Sequence, residues 1–239
     1  MPTCSSPSCL HSWLREQAAY TVKDGNLAVP GGRDISSAVN ELLSMPFALK
    51  IATRDLHPPD HVSFANSHSP PDNVPFRSNV TISNPDDPTE TRTIPIWPPH
   101  CVQGTKGAEL IPELSVSKID RIVNKGRNSK VEMFSGFADV FGRHKSDAAD
   151  IDLTSLLRQN SINDIFVTGL AGDYCVKCTA LDAQSEGFQV FVVEEAVKSI
   201  NSSDTGWGGA KRQMEDTGIR VVSLYGPEVQ KIQSALNGV

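Results

Sequence analysis

Helical and extended segments alternate along most of this chain, and this alternation is the strongest constraint on its fold. The helical segments carry apolar residues at helical spacing, and the extended ones are short apolar runs of the length of a buried strand. Such alternation predicts a doubly wound, mostly parallel α/β sheet with helices on both faces. In chain order the segments are DISSAVNELLS, FALKIAT, SLLRQNSI, DIFVTGL, YCVKCTALDAQSEG, FQVFVV, GAKRQMEDTG, RVVSLY and PEVQKIQSAL.

The sequence predicts one domain, with one atypical segment before it and another inside it. Residues 24 to 239 carry the alternating pattern, and we expect them to form a single domain. Residues 1 to 23 do not continue the pattern, so we predict irregular structure there. Residues 66 to 95 are rich in Pro, Asn and Ser and show little periodicity, which predicts a long irregular surface loop.

Charge and composition exclude several classes of partner. The 239 residues include 22 Lys and Arg against 28 Asp and Glu, a formal net charge of −6, and there is no basic block. We therefore expect neither nucleic acid nor a membrane surface as a partner. The sequence shows neither an apolar run long enough to span a bilayer nor the apolar core of a secretory signal, which favours an intracellular protein, cytoplasmic or else nuclear or peroxisomal. The five cysteines are irregularly spaced and odd in number, which favours reduced thiols. A homo-oligomer is compatible with the sequence.

Three side chains are candidate metal ligands. Asp55 and His57 follow a predicted strand two residues apart, so in an extended chain both project to one side. His100 follows two prolines, which stiffen the backbone that carries its imidazole. One carboxylate and two imidazoles suit zinc best, with manganese or iron as alternatives. Spacing alone leaves a polar loop with two solvated histidines equally open.

Cys175 is a candidate nucleophile. It follows the strand that ends near Gly169 and a turn of small residues, and the sequence predicts that it lies near the start of a helix. The positive end of a helix dipole stabilises a thiolate, and backbone N–H groups of the turn are suited to an oxyanion. We favour this role over a buried structural cysteine. Cys178 forms C-x-x-C with Cys175, but no second such pair exists, so we expect Cys178 and Cys101 to pack as small apolar residues.

Five segments taken together resemble the nicotinamidase branch of the isochorismatase-like cysteine hydrolases. The resemblance runs in order from about Asp24 to Tyr225. It implies the doubly wound α/β fold, a bound zinc or similar ion, and hydrolysis of nicotinamide to nicotinate and ammonia. Isochorismate and carbamoyl-amide hydrolases are the nearest rivals, but those relatives generally lack the D-x-H and late His set. The segments are DGNLAVPGGRD, TRDLHPPDHVSF, WPPHCVQGTKGAEL, NKGRNSKVEMFSGF and GLAGDYCVKCTALDA.

The resemblance also implies a role for individual residues. Cys175 matches the family's nucleophile and Lys125, at the end of a predicted strand, matches its lysine. Asp55, His57 and His100 match the metal ligands, and Trp97 and Tyr174 match the aromatic walls around the pyridine ring. Ala171 and Cys175 match the oxyanion hole, which in the family involves a cis peptide, here Leu170 to Ala171.

One part of the family pattern is missing. The family has an aspartate at the end of a first apolar strand, and by ungapped counting that position is Arg15. Neither the apolar strand nor the aspartate is recognisable, although AAYTV is a poor substitute strand and Glu16 and Asp24 lie nearby. Loss of a positioned acid or base lowers a rate by roughly 10² to 10⁴ fold. We therefore expect weak turnover, and the alternative is a binding protein that retains the pocket without catalysis.

Overall fold

A parallel sheet of six strands forms the centre of the molecule. The computed structural model describes residues 11–14 and 26–234. All neighbouring strands of this sheet run parallel, in the order β5-β2-β1-β6-β7-β8. The strand order reverses direction between β1 and β6, and ligands of such sheets bind at that reversal, outside the carboxyl ends of the strands. The strands are β1 His11–Leu14, β2 Leu49–Asp55, β5 Arg121–Lys125, β6 Asp164–Leu170, β7 Gln189–Lys198 and β8 Arg220–Val222.

Helices cover both faces of the sheet, as the alternating pattern predicts. One apolar cluster lies on each face, and two helices pack with the first cluster and three with the second. Alternate residues of a strand belong to different clusters. Phe166 belongs to the first cluster, whereas Ile165 and Val167 belong to the second. The first face carries α1 Ser36–Ser44 and α5 Pro227–Ser234. The second carries α2 Leu153–Gln159, α3 Lys177–Ser185 and α4 Trp207–Asp216.

A first strand is present after all, within the segment for which we predicted irregular structure. β1 pairs with β2 on one side and with β6 on the other, with Trp13 in register with Ile51 and Val167. The expectation that this strand is missing is therefore wrong for residues 11–14. The reason is that the neighbouring strands present backbone hydrogen-bonding groups, which a short polar-apolar stretch can satisfy without a long apolar run. Arg15, Glu16, Asp24 and the AAYTV stretch lie outside the described residues.

The segment 66–95 is not wholly irregular either. Its second half contains an antiparallel hairpin, β3 Asn79–Ser83 and β4 Thr91–Pro95. Ile82 and Ile94 are buried, whereas most of their neighbours in the hairpin are exposed. Two inward apolar side chains in short, otherwise polar strands give too little alternation to be recognised in the sequence.

Within the described ranges, no helix combines the length and the apolar character that crossing a bilayer requires.

Candidate active site

Asp55, His57 and His100 come together at the carboxyl end of the sheet. Asp55 is the last residue of β2, and His57 follows it by two residues. His57 lies beside the W-P-P-H-C segment, since its backbone N–H donates to the carbonyl of Cys101 at 3.0 Å. One ligand atom from each of the three candidate side chains lies within 4.8 Å of the others, and all three side chains are buried. The predicted cluster is therefore formed.

The hydrogen bonds of both imidazoles favour metal binding through the same ring nitrogen. His57 Nδ1 donates to the carbonyl of Gly126 at 2.8 Å, and His100 Nδ1 donates to the carbonyl of Pro98 at 2.9 Å. A carbonyl accepts only, so Nδ1 carries the proton and Nε2 offers its lone pair. Such outer hydrogen bonds are typical of metal-binding histidines. The donor set fits one divalent ion.

Gly126 is required for the position of His57. Its φ is +66°, and a Cβ at this position would lie 2.3 Å from Cε1 and 2.6 Å from Nδ1 of the imidazole. We expect Gly126→Ala to displace His57 and to weaken zinc binding about 10- to 100-fold, the usual effect of disturbing an outer partner of a metal ligand. Competition with a chromophoric chelator measures this affinity.

Gly142→Ala is the matched control for this prediction. Gly142 has a similar φ of +77°, but a Cβ there would meet nothing within 4 Å. Both variants therefore carry comparable backbone strain, and only Gly126→Ala disturbs a candidate metal ligand. Equal zinc affinities in the two variants would contradict the prediction.

Lys125 connects the metal cluster to Cys175. It is the last residue of β5 and only 1% exposed. Its ammonium lies 2.7 Å from Asp55 Oδ1, donates to the carbonyl of Met133 at 2.7 Å, and lies 4.0 Å from the sulfur of Cys175. The ion pair with Asp55 compensates the charge of a lysine that is almost completely removed from water.

Cys175 lies on a strained turn between β6 and α3. The turn begins at Ala171, which has φ 57° and ψ 56°, and continues through a π-helical turn over Gly172–Val176 before α3. The expected cis peptide between Leu170 and Ala171 is not found: in the described part of the chain the cis bond is Pro70-Pro71. The left-handed conformation of Ala171 turns the chain instead. Cys175 thus precedes the α-helix proper and is 6% exposed.

One cavity gathers most of the predicted site. Its wall includes the three candidate ligands, the thiol of Cys175, Ala171, and the aromatic side chains of Trp97 and Tyr174. The Trp97 and Tyr174 rings meet edge to face, with centroids 5.0 Å apart and an interplanar angle of 90°. Lys125 is not part of the wall but lies directly behind it, through its contacts with Asp55 and Cys175.

Several residues of the cavity wall were missed by the sequence analysis. They are Leu27, Glu132, Met133, Phe134 and Ile200. Glu132 is the most unexpected, since it is a carboxylate only 3% exposed. Burial raises its pKa, but electrostatic interactions with His61 and His57 and a hydrogen bond with Ser63 together hold the pKa well below the usual range of a glutamate. The available signal was a charged residue inside the apolar stretch V-E-M-F, seven residues after Lys125.

His61 was also missed, although it lies in the same D-L-H-P-P-D-H segment as two candidate ligands. Its ring centroid lies 4.3 Å from that of His57. Both of its nitrogens are engaged, Nδ1 with the hydroxyl of Ser63 at 2.8 Å and Nε2 with the carbonyl of Val131 at 3.2 Å. Burial lowers its pKa to about 4, with a smaller contribution from His57. His61 therefore packs against the cluster as a neutral imidazole.

Comparison with known proteins agrees with this geometry. Residues 51–224 match the family described as Isochorismatase domain. The nicotinamidase of Acinetobacter baylyi is 36% identical over 177 residues, which cover 74% of this chain and 75% of that protein. The yeast nicotinamidase bound to the inhibitor nicotinaldehyde superposes with a TM-score of 0.80 at 26% identity, covering 90% of this chain and 99% of that chain.

A third relative is informative about the metal. The pyrazinamidase of Pyrococcus horikoshii, solved in complex with zinc, is 31% identical with a TM-score of 0.67, covering 91% of this chain and 99% of that chain. The family match covers well over half of this chain, and the relatives from Acinetobacter baylyi and Schizosaccharomyces pombe, 36% and 34% identical, are nicotinamidases. The chain therefore belongs to the nicotinamidase branch of the isochorismatase family, whose members are hydrolases that cleave a carboxamide C–N bond.

Proposed function

We propose that this chain hydrolyses nicotinamide to nicotinate and ammonia through a thioester on Cys175, as a cytoplasmic step of NAD salvage. The observation that carries the proposal is the meeting of one thiol, one ammonium and three metal-ligating side chains around a cavity with aromatic walls. Nicotinamide is a flat aromatic amide with a ring nitrogen, so it offers a partner to each of these groups. The names of the sequence relatives support the same substrate.

Asp55, His57 and His100 are the residues that would hold a divalent ion, most simply zinc. Bound there, the ion supplies a Lewis-acid position for the pyridine nitrogen and so helps to orient the ring. Trp97 and Tyr174 contribute the apolar surfaces against which the ring packs. With the ring fixed in this way, the carboxamide carbon is presented to the sulfur of Cys175.

The chemical step begins with the thiolate of Cys175. Its sulfur forms a bond to the carboxamide carbon, the C–N bond then breaks, and the nitrogen takes up the proton that the thiol gave up and leaves as ammonia. Water then attacks the thioester and the C–S bond breaks. One proton of the water returns to the sulfur and restores the thiol, and the other is released to solvent as nicotinate leaves. The Lys125 ammonium, 4.0 Å from the sulfur, stabilises the thiolate. The backbone N–H groups of Ala171 and Cys175 are the proposed donors to the oxyanion.

A second candidate is a nicotinate- or nicotinamide-binding protein with impaired catalysis. It is favoured by one sequence observation, that Arg15 occupies the position that ungapped counting gives to the family's aspartate. Without a positioned carboxylate, proton transfer to the leaving nitrogen and from the attacking water is slowed. The binding function would then survive while turnover falls.

Ammonia release separates the two candidates. The purified, zinc-loaded chain is incubated with nicotinamide and, as the matched control, with benzamide, which has the same amide and ring but lacks the ring nitrogen. We expect ammonia from nicotinamide and little from benzamide, at a turnover number below the usual enzyme range of roughly 1 to 10³ s⁻¹. Binding of nicotinate without ammonia release would support the second candidate, and neither binding nor release would overturn both.

A further inference from the structure

Phe76 has a conformation and an environment that are unusual for a phenylalanine. It lies in a tight turn in which the backbone N–H groups of Arg77 and Ser78 both donate to the carbonyl of Val74. Its φ is 65°, in the left-handed region that bulky side chains rarely adopt. The side chain is also 58% exposed, so little burial offsets this strain. A residue that is both strained and exposed contributes little to stability and calls for another explanation.

The Phe76 ring contacts one side chain of the active-site wall. Its centroid lies 5.7 Å from that of Trp97 in an edge-to-face arrangement with an interplanar angle of 79°. Trp97 in turn meets Tyr174 at 5.0 Å, and both of these residues line the cavity, whereas Phe76 does not. The Trp97 indole therefore contacts one aromatic ring that lines the cavity and one that does not.

The backbone fixes Phe76 at this point. Its N–H donates to the carbonyl of Ile96 at 3.0 Å, and Ile96 immediately precedes Trp97. The N–H of Trp97 donates to the carbonyl of Ser63 at 2.7 Å, and its own carbonyl accepts from Ala65 at 2.8 Å. These bonds hold the tryptophan main chain, whereas the indole, 5% exposed, is held by the apolar cluster around it and by its two ring contacts.

We propose that Phe76 is a positioning residue for substrate binding, which holds the Trp97 indole in the orientation that the pyridine ring requires. This inference rests on the proposed function, because it assumes that Trp97 packs against a pyridine ring. A wall that is already ordered binds a flat ligand more tightly than one that must be ordered on binding. Phe76 itself touches neither substrate nor reacting atoms.

Phe76→Gly is the decisive variant, because a positioning role and a structural role predict different results. Glycine adopts a φ of 65° without strain, so we expect the melting temperature to stay the same or rise. Loss of the ring contact is expected to weaken nicotinate binding about 3- to 10-fold, the size typical of one aromatic pair. KM for nicotinamide should rise by a similar factor with kcat nearly unchanged. Nicotinate affinity is measured by calorimetry, which needs no turnover.

Two further variants serve as controls. Phe76→Tyr keeps the ring and should bind nicotinate like the wild type. Val74→Ala removes another exposed apolar side chain of the same turn, 43% exposed, and should also leave the affinity unchanged. Wild-type affinity in Phe76→Gly, or a loss of affinity that only parallels a loss of melting temperature, would overturn the proposal.

The test also separates this inference from the proposed function. A wild type that binds nicotinate but releases no ammonia contradicts the hydrolysis and leaves the affinity comparison intact. If the wild type binds no nicotinate, acrylamide quenching of Trp97 fluorescence in the free protein still tests the proposal. The Trp97 signal is the difference between the protein and its Trp97→Phe variant. Quenching should increase about two-fold or more in Phe76→Gly if the ring orders the indole, and unchanged quenching would refute the proposal.

Discussion

Cys175→Ala is expected to lower ammonia release from nicotinamide by at least about 10³ fold, because the proposed thioester forms on this sulfur. The side chain is buried in the cavity wall, and alanine fills most of its volume without a charge. Zinc content and nicotinate affinity should therefore stay close to those of the wild type. Ammonia release, bound zinc and calorimetric binding are measured on the same preparation.

Cys178→Ala is the matched control for this variant, since it removes the same group one helical turn further on. Burial, with a smaller contribution from Cys175, raises the pKa of Cys178 to about 12, so this thiol stays protonated at working pH. A protonated thiol is a poor nucleophile. We expect Cys178→Ala to retain wild-type ammonia release. A Cys175→Ala variant as active as the wild type would remove the thioester mechanism.

Lys125→Met is expected to reduce both activity and stability. Methionine has a similar length but no charge, so Asp55 would lose its partner at 2.7 Å in an environment where both side chains are almost completely buried. Breaking a buried ion pair from one side costs about 3 to 5 kcal/mol of the free energy of unfolding. Ammonia release should fall by roughly 10² to 10³ fold, the usual effect of losing one group that stabilises charge in an active site.

The Lys125→Met variant can also be compared with and without zinc. A bound cation compensates the charge of Asp55, so the loss of stability in Lys125→Met should be smaller with zinc than with a chelator. Urea unfolding under both conditions measures the difference, with Lys130→Met as the control because Lys130 is a nearby exposed lysine. An equal loss of stability with and without zinc would show that Asp55 does not bind the ion.

The sheet was predictable where strands are buried on both faces. DIFVTGL matches β6 Asp164–Leu170 residue for residue, because a central strand needs a continuous apolar run and is followed by a turn of small residues. HSWL and the hairpin strands were not recognised because they lack a continuous apolar run. β1 is four residues long with two polar members, and its strand conformation depends on the neighbouring β2 and β6 rather than on its own pattern.

The sequence predicted those site residues that have a chemically suitable side chain and also lie at or just after the end of a strand. Asp55, Lys125 and Cys175 each follow or end a strand, and the structure brings them together. Glu132 carries no such mark, since it lies within the long connection between β5 and α2. The aromatic contact of Phe76 with Trp97 depends on a turn whose backbone conformation has no signature in the sequence.

The position of β1 bears on the order in which the molecule assembles during synthesis. Of the described strands, β1 is synthesised before the others, yet Ser12 pairs with Phe166, more than 150 residues later in the chain. The two halves of the sheet are joined through these four residues, so one edge of β1 stays unpaired until β6 has been synthesised. Such delayed closure exposes strand edges to other nascent chains, and molecular chaperones are the cell's usual protection during this interval.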